Sequence, residues 1–260
     1  MCLIVFGYNA HPNYRLIFAA NRDEQYARPT RGAQFWNSHP DILAGKDLEA
    51  GGTWMGISRA GEFSAVTNYR DPNITKEDPP SRGKLTLNFL INKTDPLSYL
   101  QELHQEADNY QGFNLLTGNI NTLGYYSNQE GIVRSLSPGI YGLSNHLLNT
   151  PWPKVQRSKN KLSHVLNKQK VSTEALFDLL GDDVKAPEDQ LPDTGIPREV
   201  EKEISPIFIK GEEYGTRCST VLLINKHNTV TFIERRYKPA TQEIKEENSF
   251  EFEIKIPQIN

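Results

Sequence analysis

The chain has 260 residues, of which 37% are hydrophobic, 23% charged and 10% aromatic. This composition is typical of a globular protein and excludes a fibrous or disordered polymer. The 29 basic and 32 acidic residues give a formal net charge of −3, and the basic residues form no long block. No electrostatic pattern therefore indicates a nucleic-acid partner or an anionic membrane, and small molecules or proteins remain as partners.

The sequence also lacks the patterns of several other protein classes. No stretch approaches the roughly 20 apolar residues that span a bilayer, and the short apolar run over residues 2–6 has no basic leader. Two cysteines, Cys2 and Cys218, are too few for a disulfide framework or a thiolate zinc site. The six histidines show no metal-ligand spacing. We expect a cytoplasmic protein without a metal or a membrane span, and the oligomeric state stays open.

The first part of the chain is predicted to be rich in strands. Residues 2–8 and 15–21 are rich in β-branched and aromatic side chains and flank a turn that contains Pro12, which predicts a hairpin. After a polar loop around Pro29, further strands are predicted over residues 42–45, 53–58 and 63–69. A proline-containing loop over residues 71–83 leads to predicted helices at residues 85–91 and 96–107.

A second run of strands is predicted in the middle of the chain, over residues 113–120, 123–127, 131–135 and 140–144, and we expect this run to form a second sheet. Helices are predicted at residues 154–166 and 173–180, the latter capped by Ser172 or Thr173. An acidic loop over residues 182–197 and a short helix at 198–204 follow. The last predicted strands are residues 216–224, 229–235 and 250–256.

This order of elements favours an α+β fold, a four-layer αββα sandwich in which two stacked, mainly antiparallel sheets are flanked by helices. The final strands have no other sheet to complete. We therefore expect residues 1–260 to form one domain.

Cys2 is the residue that most directly suggests a chemistry. Removal of Met1 would leave a thiol and an α-amine on the same residue, and an α-amine with a pKa of about 7.7 to 8.0 can accept the proton of a thiol with a pKa of about 8.5. The strand that follows would fix the position of this terminus. The alternative is that Cys2 only begins a buried strand as a small hydrophobic residue.

A polar tetrad, residues 21–24, follows the second predicted strand. The period of two places Asn21 and Asp23 on one face of the strand and Arg22 and Glu24 on the other. A carboxylate that faces Cys2 would stabilise the ammonium form of the α-amine, which makes Asp23 the predicted orienting residue. The alternative is that the tetrad is the solvated end of a hairpin.

Five segments in this order resemble the NRDE-motif family, also called the transport and Golgi organisation family. They are Cys2 and residues 21–24, 51–56, 67–71 and 217–223. This family is in turn similar to N-terminal-nucleophile hydrolases of the bile-salt hydrolase and penicillin V acylase type. That resemblance implies the αββα fold and an N-terminal cysteine that attacks a non-peptide amide.

The resemblance also implies roles for individual residues. Cys2 matches the nucleophile, Asp23 the aspartate of the Asn-x-Asp segment, and Asn68 an oxyanion-hole asparagine. Asn145 resembles the second asparagine of those hydrolases, and Arg217 resembles the arginine that begins a late strand.

One residue departs from the hydrolase pattern. The hydrolases carry an arginine directly before Asn-x-Asp, whereas this chain has Ala20 there. Arg22 is expected on the opposite face, where it would be a poor replacement. The loss of a guanidinium would weaken charge stabilisation of the thiol by about one pKa unit, roughly 1.4 kcal/mol, which slows a catalyst without abolishing it.

The predicted function is that of a cysteine amidohydrolase or acyltransferase acting on a small amide or thioester. We expect Asn21, Trp54, Tyr69 and His146 to contact the substrate, although a core position is the alternative for Trp54. No resident cofactor is expected. The alternative function, which the family resemblance also implies, is a non-catalytic carrier that binds haem or an acyl lipid in the same pocket, with His146 near the haem iron.

Overall fold

A computed structural model of the protein describes residues 3–73 and 75–255. The predicted nucleophile Cys2 and the end of the last predicted strand, Ile256, lie outside these residues. Within them the chain forms thirteen strands and five α-helices. The first half contains β1 (Leu3–His11), β2 (Tyr14–Gln25), β3 (Thr30–Trp36), β4 (His39–Asp47), β5 (Met55–Ser58), β6 (Phe63–Asn68), α1 (Gly83–Asn92), α2 (Pro96–His104), β7 (Phe113–Gly118) and β8 (Leu123–Ser127). The second half contains β9 (Arg134–Ser135), β10 (Gly139–Leu143), α3 (Pro153–Leu166), α4 (Thr173–Leu180), α5 (Arg198–Glu203), β11 (Tyr214–Asn225), β12 (Thr229–Tyr237) and β13 (Ile244–Glu253).

The strands form two antiparallel sheets. Sheet A has the order β10-β1-β2-β11-β12-β13, and sheet B has the order β3-β4-β5-β6-β7-β8-β9. The expectation that the middle run of strands forms its own sheet was wrong, because β7, β8 and β9 extend the sheet of β3 to β6, while β10 pairs with β1. The C-terminal strands complete the sheet of the N-terminal hairpin through the pairing of β11 with β2.

The predicted αββα layering is confirmed. Alternate residues of the strands fill a core between the two sheets, where Phe18 of sheet A meets Phe63 of sheet B with ring centroids 5.0 Å apart. The other face of sheet A packs against α3 and α4, and the other face of sheet B packs against α1 and α2. Within the described residues, no helix has both the length and the apolar character that a membrane crossing requires.

Several predicted element bounds needed correction. β3 was not predicted, because its residues Arg31 and Gln34 are too polar for a recognisable strand pattern. It lies at the edge of sheet B. β9 is limited to Arg134–Ser135 rather than residues 131–135. The helix over Thr173–Leu180 has the predicted bounds, and the hydroxyl of Ser172 accepts the N–H of Ala175 at 3.3 Å as a helix cap.

The strand pairing defines one end of the sandwich, which we name the Leu3 end. Leu3, the first described residue of β1, pairs with Asn21 in the second half of β2, and Asn21 pairs in turn with Ser219 in the first half of β11. Because neighbouring strands are antiparallel, strand starts and strand ends alternate here. The Leu3 end therefore gathers side chains from segments that are far apart in sequence.

Candidate functional site

Asn21 is a buried structural link between β2, β11 and the helical layer. Its Nδ2 donates to the carbonyls of Leu180 at 2.9 Å and Ile207 at 2.8 Å, and its Oδ1 accepts the hydroxyl of Ser219 at 2.6 Å. The side chain is fully buried on the helix-facing side of sheet A. The predicted contact of Asn21 with substrate is therefore not what the geometry favours, because both ends of the amide already bind the protein.

Asp23 lies two residues further along the same face of β2. The carboxylate is 4% exposed, and its Oδ1 accepts the hydroxyl of Thr216 at 2.6 Å. The same Thr216 oxygen accepts the backbone N–H of Ile209 at 2.9 Å. A hydroxyl has one proton to donate, so this arrangement directs that proton to Asp23 and fixes the carboxylate as the acceptor.

Arg22 lies on the same face as Ala20, which corrects the expectation that it faces the other way. Residues two apart in a strand share a face, and Ala20 belongs to the core between the sheets. The guanidinium carbon of Arg22 lies 4.4 Å from the centroid of the Trp54 ring, on the side of sheet B. Ala20 stands where the hydrolases have an arginine. The same face of β2 therefore carries a guanidinium two residues further along, at Arg22.

Arg22 and Trp54 border a cavity of about 270 Å³ at the Leu3 end. Other residues that line this cavity are Glu24, Arg28, Asp47, Asn68 and Arg82. A larger groove of about 660 Å³ lies elsewhere, between β9 and the segment after β10, and none of the predicted site residues lines it. We therefore take the smaller cavity as the candidate site.

Two glycines allow the wall of this cavity to close tightly. A Cβ atom on Gly52 would lie 2.5 Å from the carbonyl carbon of Gly83, where the N–H of Thr53 donates to the Gly83 carbonyl at 3.1 Å. A Cβ atom on Gly45 would lie 2.3 Å from the Trp54 ring. Both positions thus require glycine for the close approach that sets the position of Trp54.

An ion pair forms the rim of the cavity. Nε of Arg28 donates to Oδ2 of Asp47 at 2.7 Å, and Oδ1 of Asp47 accepts the N–H groups of Glu49 and Ala50. Burial alone would raise the pKa of Asp47, but the hydrogen bonds from Arg28 and the backbone hold that pKa below its ordinary value. Asp47 is therefore a charged carboxylate whose two oxygens are already bound.

Asn68 and Asn145 are joined by a hydrogen bond. Asn68 ends β6 with an exposed side chain that lines the cavity. The buried Asn145 donates its Nδ2 to the Asn68 carbonyl at 3.1 Å, and its Oδ1 accepts from Arg70 at 3.3 Å. Arg70 is held by Glu201 at 3.0 Å. Asn145 thus positions the end of β6 rather than lining the cavity itself.

Tyr69 and His146 form a separate aromatic pair beside Asn145. The Tyr69 hydroxyl lies 2.9 Å from Nε2 of His146, and Nδ1 of His146 lies 2.9 Å from the Thr150 hydroxyl. Burial raises the pKa of Tyr69 and lowers that of His146. Neither residue lines the cavity. Because both ring nitrogens of His146 are hydrogen-bonded, the geometry does not favour His146 as a haem ligand.

Arg217 occupies a β-bulge near the start of β11. The pairing shifts between Thr216, opposite Asp23, and Cys218, opposite Arg22. The extra residue, Arg217, turns its guanidinium to the carbonyls of Gln25 and Arg28 at 2.8 and 2.7 Å. Arg217 thus binds the backbone at the end of β2 and just after it, and it does not line the cavity. Cys218 is buried in the core between the sheets.

The structure therefore divides the predicted site residues into groups. Trp54 and Asn68 reach the cavity, and Asp23 lies on the other face of the strand that carries Arg22. Sequence reasoning missed Arg22, for which the period of two was a sufficient signal. It also missed Thr216, for which no signal existed because the contact depends on the bulge.

Comparison with solved structures supports the fold. A mutant of conjugated bile acid hydrolase from Clostridium perfringens superposes with a TM-score of 0.50 over 100% of both chains at 10% sequence identity. The protein therefore has the fold of N-terminal-nucleophile hydrolases, as the sequence resemblance implied.

Comparison with known sequences gives much stronger similarity. The Transport and Golgi organization 2 homolog of Mus musculus is 38% identical over 277 residues, which covers 98% of this chain and 99% of the mouse protein. The Homo sapiens homolog is 37% identical with the same coverage. Residues 1–239 match the family described as Transport and Golgi organisation 2. The chain belongs to the Transport and Golgi organisation 2 family, which confirms the resemblance inferred from its sequence motifs.

Proposed function

We propose that the protein is an N-terminal cysteine amidohydrolase or acyltransferase that acts on a small non-peptide amide or thioester. Cys2, freed by removal of Met1, is the nucleophile, and its own α-amine is the base. Asp23 orients that amine. The proposed site occupies the Leu3 end, with the cavity bordered by Arg22, Trp54 and Asn68 as the place of the acyl group.

The observation that carries this proposal is the position of Asp23. Cys2 directly precedes Leu3 in the sequence, and the Cα atoms of consecutive residues are about 3.8 Å apart across a trans peptide bond. Leu3 pairs with Asn21 on β2, and Asp23 follows on the same strand as a buried carboxylate oriented by Thr216. Donors and opposite charges stabilise a buried carboxylate. An ammonium group at the start of β1 would act on Asp23 together with the Thr216 hydroxyl.

The proposed reaction has two steps. The Cys2 sulfur forms a bond to the carbonyl carbon of the substrate, the C–N bond breaks, and the amine leaves with the proton that the α-amine had taken from the thiol. Water then hydrolyses the thioester to a carboxylic acid, or an acceptor amine takes the acyl group. Asn68, whose carbonyl is held by Asn145, would stabilise the oxyanion of the tetrahedral intermediates.

The experiment is acylation of the protein by p-nitrophenyl acetate under single-turnover conditions, with peptide mapping of the product. We expect a burst of nitrophenolate and a thioester on Cys2 that decays with time. Cys2→Ala should abolish the burst, whereas Cys218→Ala should leave it unchanged because Cys218 is buried in the core. A burst that persists in Cys2→Ala, or no acyl group on Cys2 in the wild-type protein, would overturn the proposal.

The alternative carrier function predicts a different outcome for the wild-type protein and Cys2→Ala. A carrier needs the cavity but no free α-amine, so haem or acyl-chain binding would persist in Cys2→Ala while the wild-type protein showed no acylation. A haemin titration of both proteins, followed by the Soret band, separates the two cases.

A further inference from the structure

We propose that the cavity at the Leu3 end binds a carboxylate monoanion on the guanidinium of Arg22. The identification of this anion as part of the substrate rests on the proposed function, whereas the binding of the anion does not. Four features of the cavity support this proposal: the donors of Arg22 that make no close hydrogen bond, the hydrogen bonds of the nearby acids to other groups, the formal charge of the lining and the contact of Arg22 with Trp54.

Arg22 is buried but makes few side-chain hydrogen bonds. It is 4% exposed, and a guanidinium has five N–H donors. Within the described residues, its one side-chain hydrogen bond is a long contact of 3.4 Å with the Thr30 hydroxyl. Its distances to Glu24 and Asp47 are 3.8 and 3.9 Å, well beyond the roughly 2.7–2.9 Å of a charge-assisted hydrogen bond. Most of its donor capacity therefore remains available to a ligand.

The nearby carboxylates are committed to other groups. Asp47 binds Arg28 at 2.7 Å and two backbone N–H groups. Oε1 of Glu24 accepts the N–H of Gln25 at 3.0 Å, and its Oε2 lies 3.8 Å from Arg22 and 4.0 Å from Arg28. On the far side, Oε1 of the buried Glu234 accepts the N–H of Ala33 at 2.7 Å, and burial raises the pKa of Glu234. None of the three is a close counter-ion of Arg22.

The charge and size of the cavity favour a small monoanion. Three guanidinium groups, from Arg22, Arg28 and Arg82, and two carboxylates, from Glu24 and Asp47, line it. Their formal sum is one positive charge, which a single carboxylate neutralises and a phosphate dianion would exceed. The volume of about 270 Å³ lies just below the usual range for ligand pockets of about 300–1,000 Å³, so we expect a small acid.

Trp54 covers one side of the guanidinium. The guanidinium carbon of Arg22 lies over the Trp54 ring, 4.4 Å from its centroid, so an anion would bind Arg22 from a side that the ring does not cover. A carboxylate matches this planar fork with two parallel hydrogen bonds. Because Arg22 is only 4% exposed, its contact with a carboxylate would be stronger than that of an exposed arginine.

The first experiment titrates the protein with benzoate and with the neutral isostere benzamide, followed by tryptophan fluorescence. We expect benzoate to bind at least tenfold more tightly than benzamide, in the wild-type protein and in Cys2→Ala alike. Arg22→Gln should remove the preference, and Arg22→Lys should retain part of it because the charge remains. Arg59→Gln is the matched control, since Arg59 also stacks on an aromatic ring, 3.8 Å from the centroid of Phe35, but lies outside the cavity.

The second experiment compares alkylation of Cys2 by iodoacetate and by iodoacetamide, with the urea-unfolded protein as reference. We expect the rate ratio of the anionic to the neutral reagent to exceed that of the unfolded protein at least tenfold, and to return to it in Arg22→Gln. Equal binding of benzoate and benzamide to folded wild-type protein would overturn the anion site. Benzoate binding without acylation of Cys2 would instead overturn the proposed function and leave the anion site intact.

Discussion

Thr216 donates its hydroxyl to the buried carboxylate of Asp23 over 2.6 Å and accepts the N–H of Ile209 over 2.9 Å. This contact joins β2 to β11 at the Leu3 end and depends on the β-bulge at Arg217. Because Thr216 supplies its only proton, Asp23 is held as an acceptor, which is the state needed to bind an ammonium group.

Removal of the Thr216 hydroxyl tests this contact. Thr216→Val keeps the shape of the side chain but leaves the Ile209 N–H and one oxygen of Asp23 without their partner. We expect the free energy of unfolding in urea to fall by about 1–3 kcal/mol and acylation of Cys2 to slow. Thr216→Ser restores the hydroxyl and should recover most of both quantities. Equal stability of Thr216→Val and wild type would show that the hydrogen bond contributes nothing.

Asn68→Ala tests the oxyanion role. The Asn68 side chain is exposed and lines the cavity, so its removal should leave the free energy of unfolding nearly unchanged. Loss of one oxyanion donor should slow acylation of Cys2 about 10²- to 10³-fold, measured as the rate of the nitrophenolate burst. Asn13→Ala, an exposed asparagine at the opposite end of the β1–β2 hairpin, should have the wild-type rate. A wild-type rate for Asn68→Ala would exclude this role.

Asn21→Ala should act on stability rather than on substrate binding. The substitution removes three hydrogen bonds, to Leu180, Ile207 and Ser219, and leaves their partners buried. We expect a loss of about 2–4 kcal/mol in the free energy of unfolding, given about 1–3 kcal/mol for each buried group left unpaired. The KM for the ester should stay near its wild-type value. If Asn21→Ala were as stable as the wild-type protein but had a raised KM, Asn21 would contact the substrate, as predicted from the sequence.

His146 should make the stability depend on pH. Burial lowers its pKa below the ordinary value of 6.5, so the unfolded chain binds more protons than the folded protein just below that pH. The stability contributed by neutral His146 is therefore present above pH 6.5 and is lost as the pH falls from 6.5 towards the folded pKa.

The urea midpoints at about pH 7.5 and about pH 5.5 measure this dependence. His146→Gln should reduce the difference between the two midpoints, whereas His164→Gln, on the exposed side of α3, should leave it unchanged. An unchanged difference in His146→Gln would assign the pH dependence to other groups.

Local patterns in the sequence predicted most of the elements but not their partners. The hairpin of β1 and β2 and the helix over Thr173–Leu180 were predictable because strand residues, turn residues and a cap all agree. The assignment of strands to sheets was not, because β7 continues sheet B and β11 joins sheet A through pairings between residues far apart in the chain.

The candidate site shows the same division. Asp23, Trp54 and Asn68 were found from motifs, and the period of two should also have placed Arg22 beside Ala20. The contact of Thr216 with Asp23 and the direction of the Arg217 side chain depend on a bulge, and a bulge leaves no clear trace in a single sequence. The hydrogen bonds of the two His146 ring nitrogens likewise depend on the tertiary structure, which brings Tyr69 and Thr150 close to His146.

The most direct test of the account is the chemistry of the N-terminus. The protein is expressed with an unmodified N-terminus and treated with 2-cyanobenzothiazole, which condenses with a thiol and an α-amine only when one residue carries both. We expect an intact mass without Met1 and a single adduct on Cys2. Retention of Met1 on all molecules, with no adduct, would contradict it.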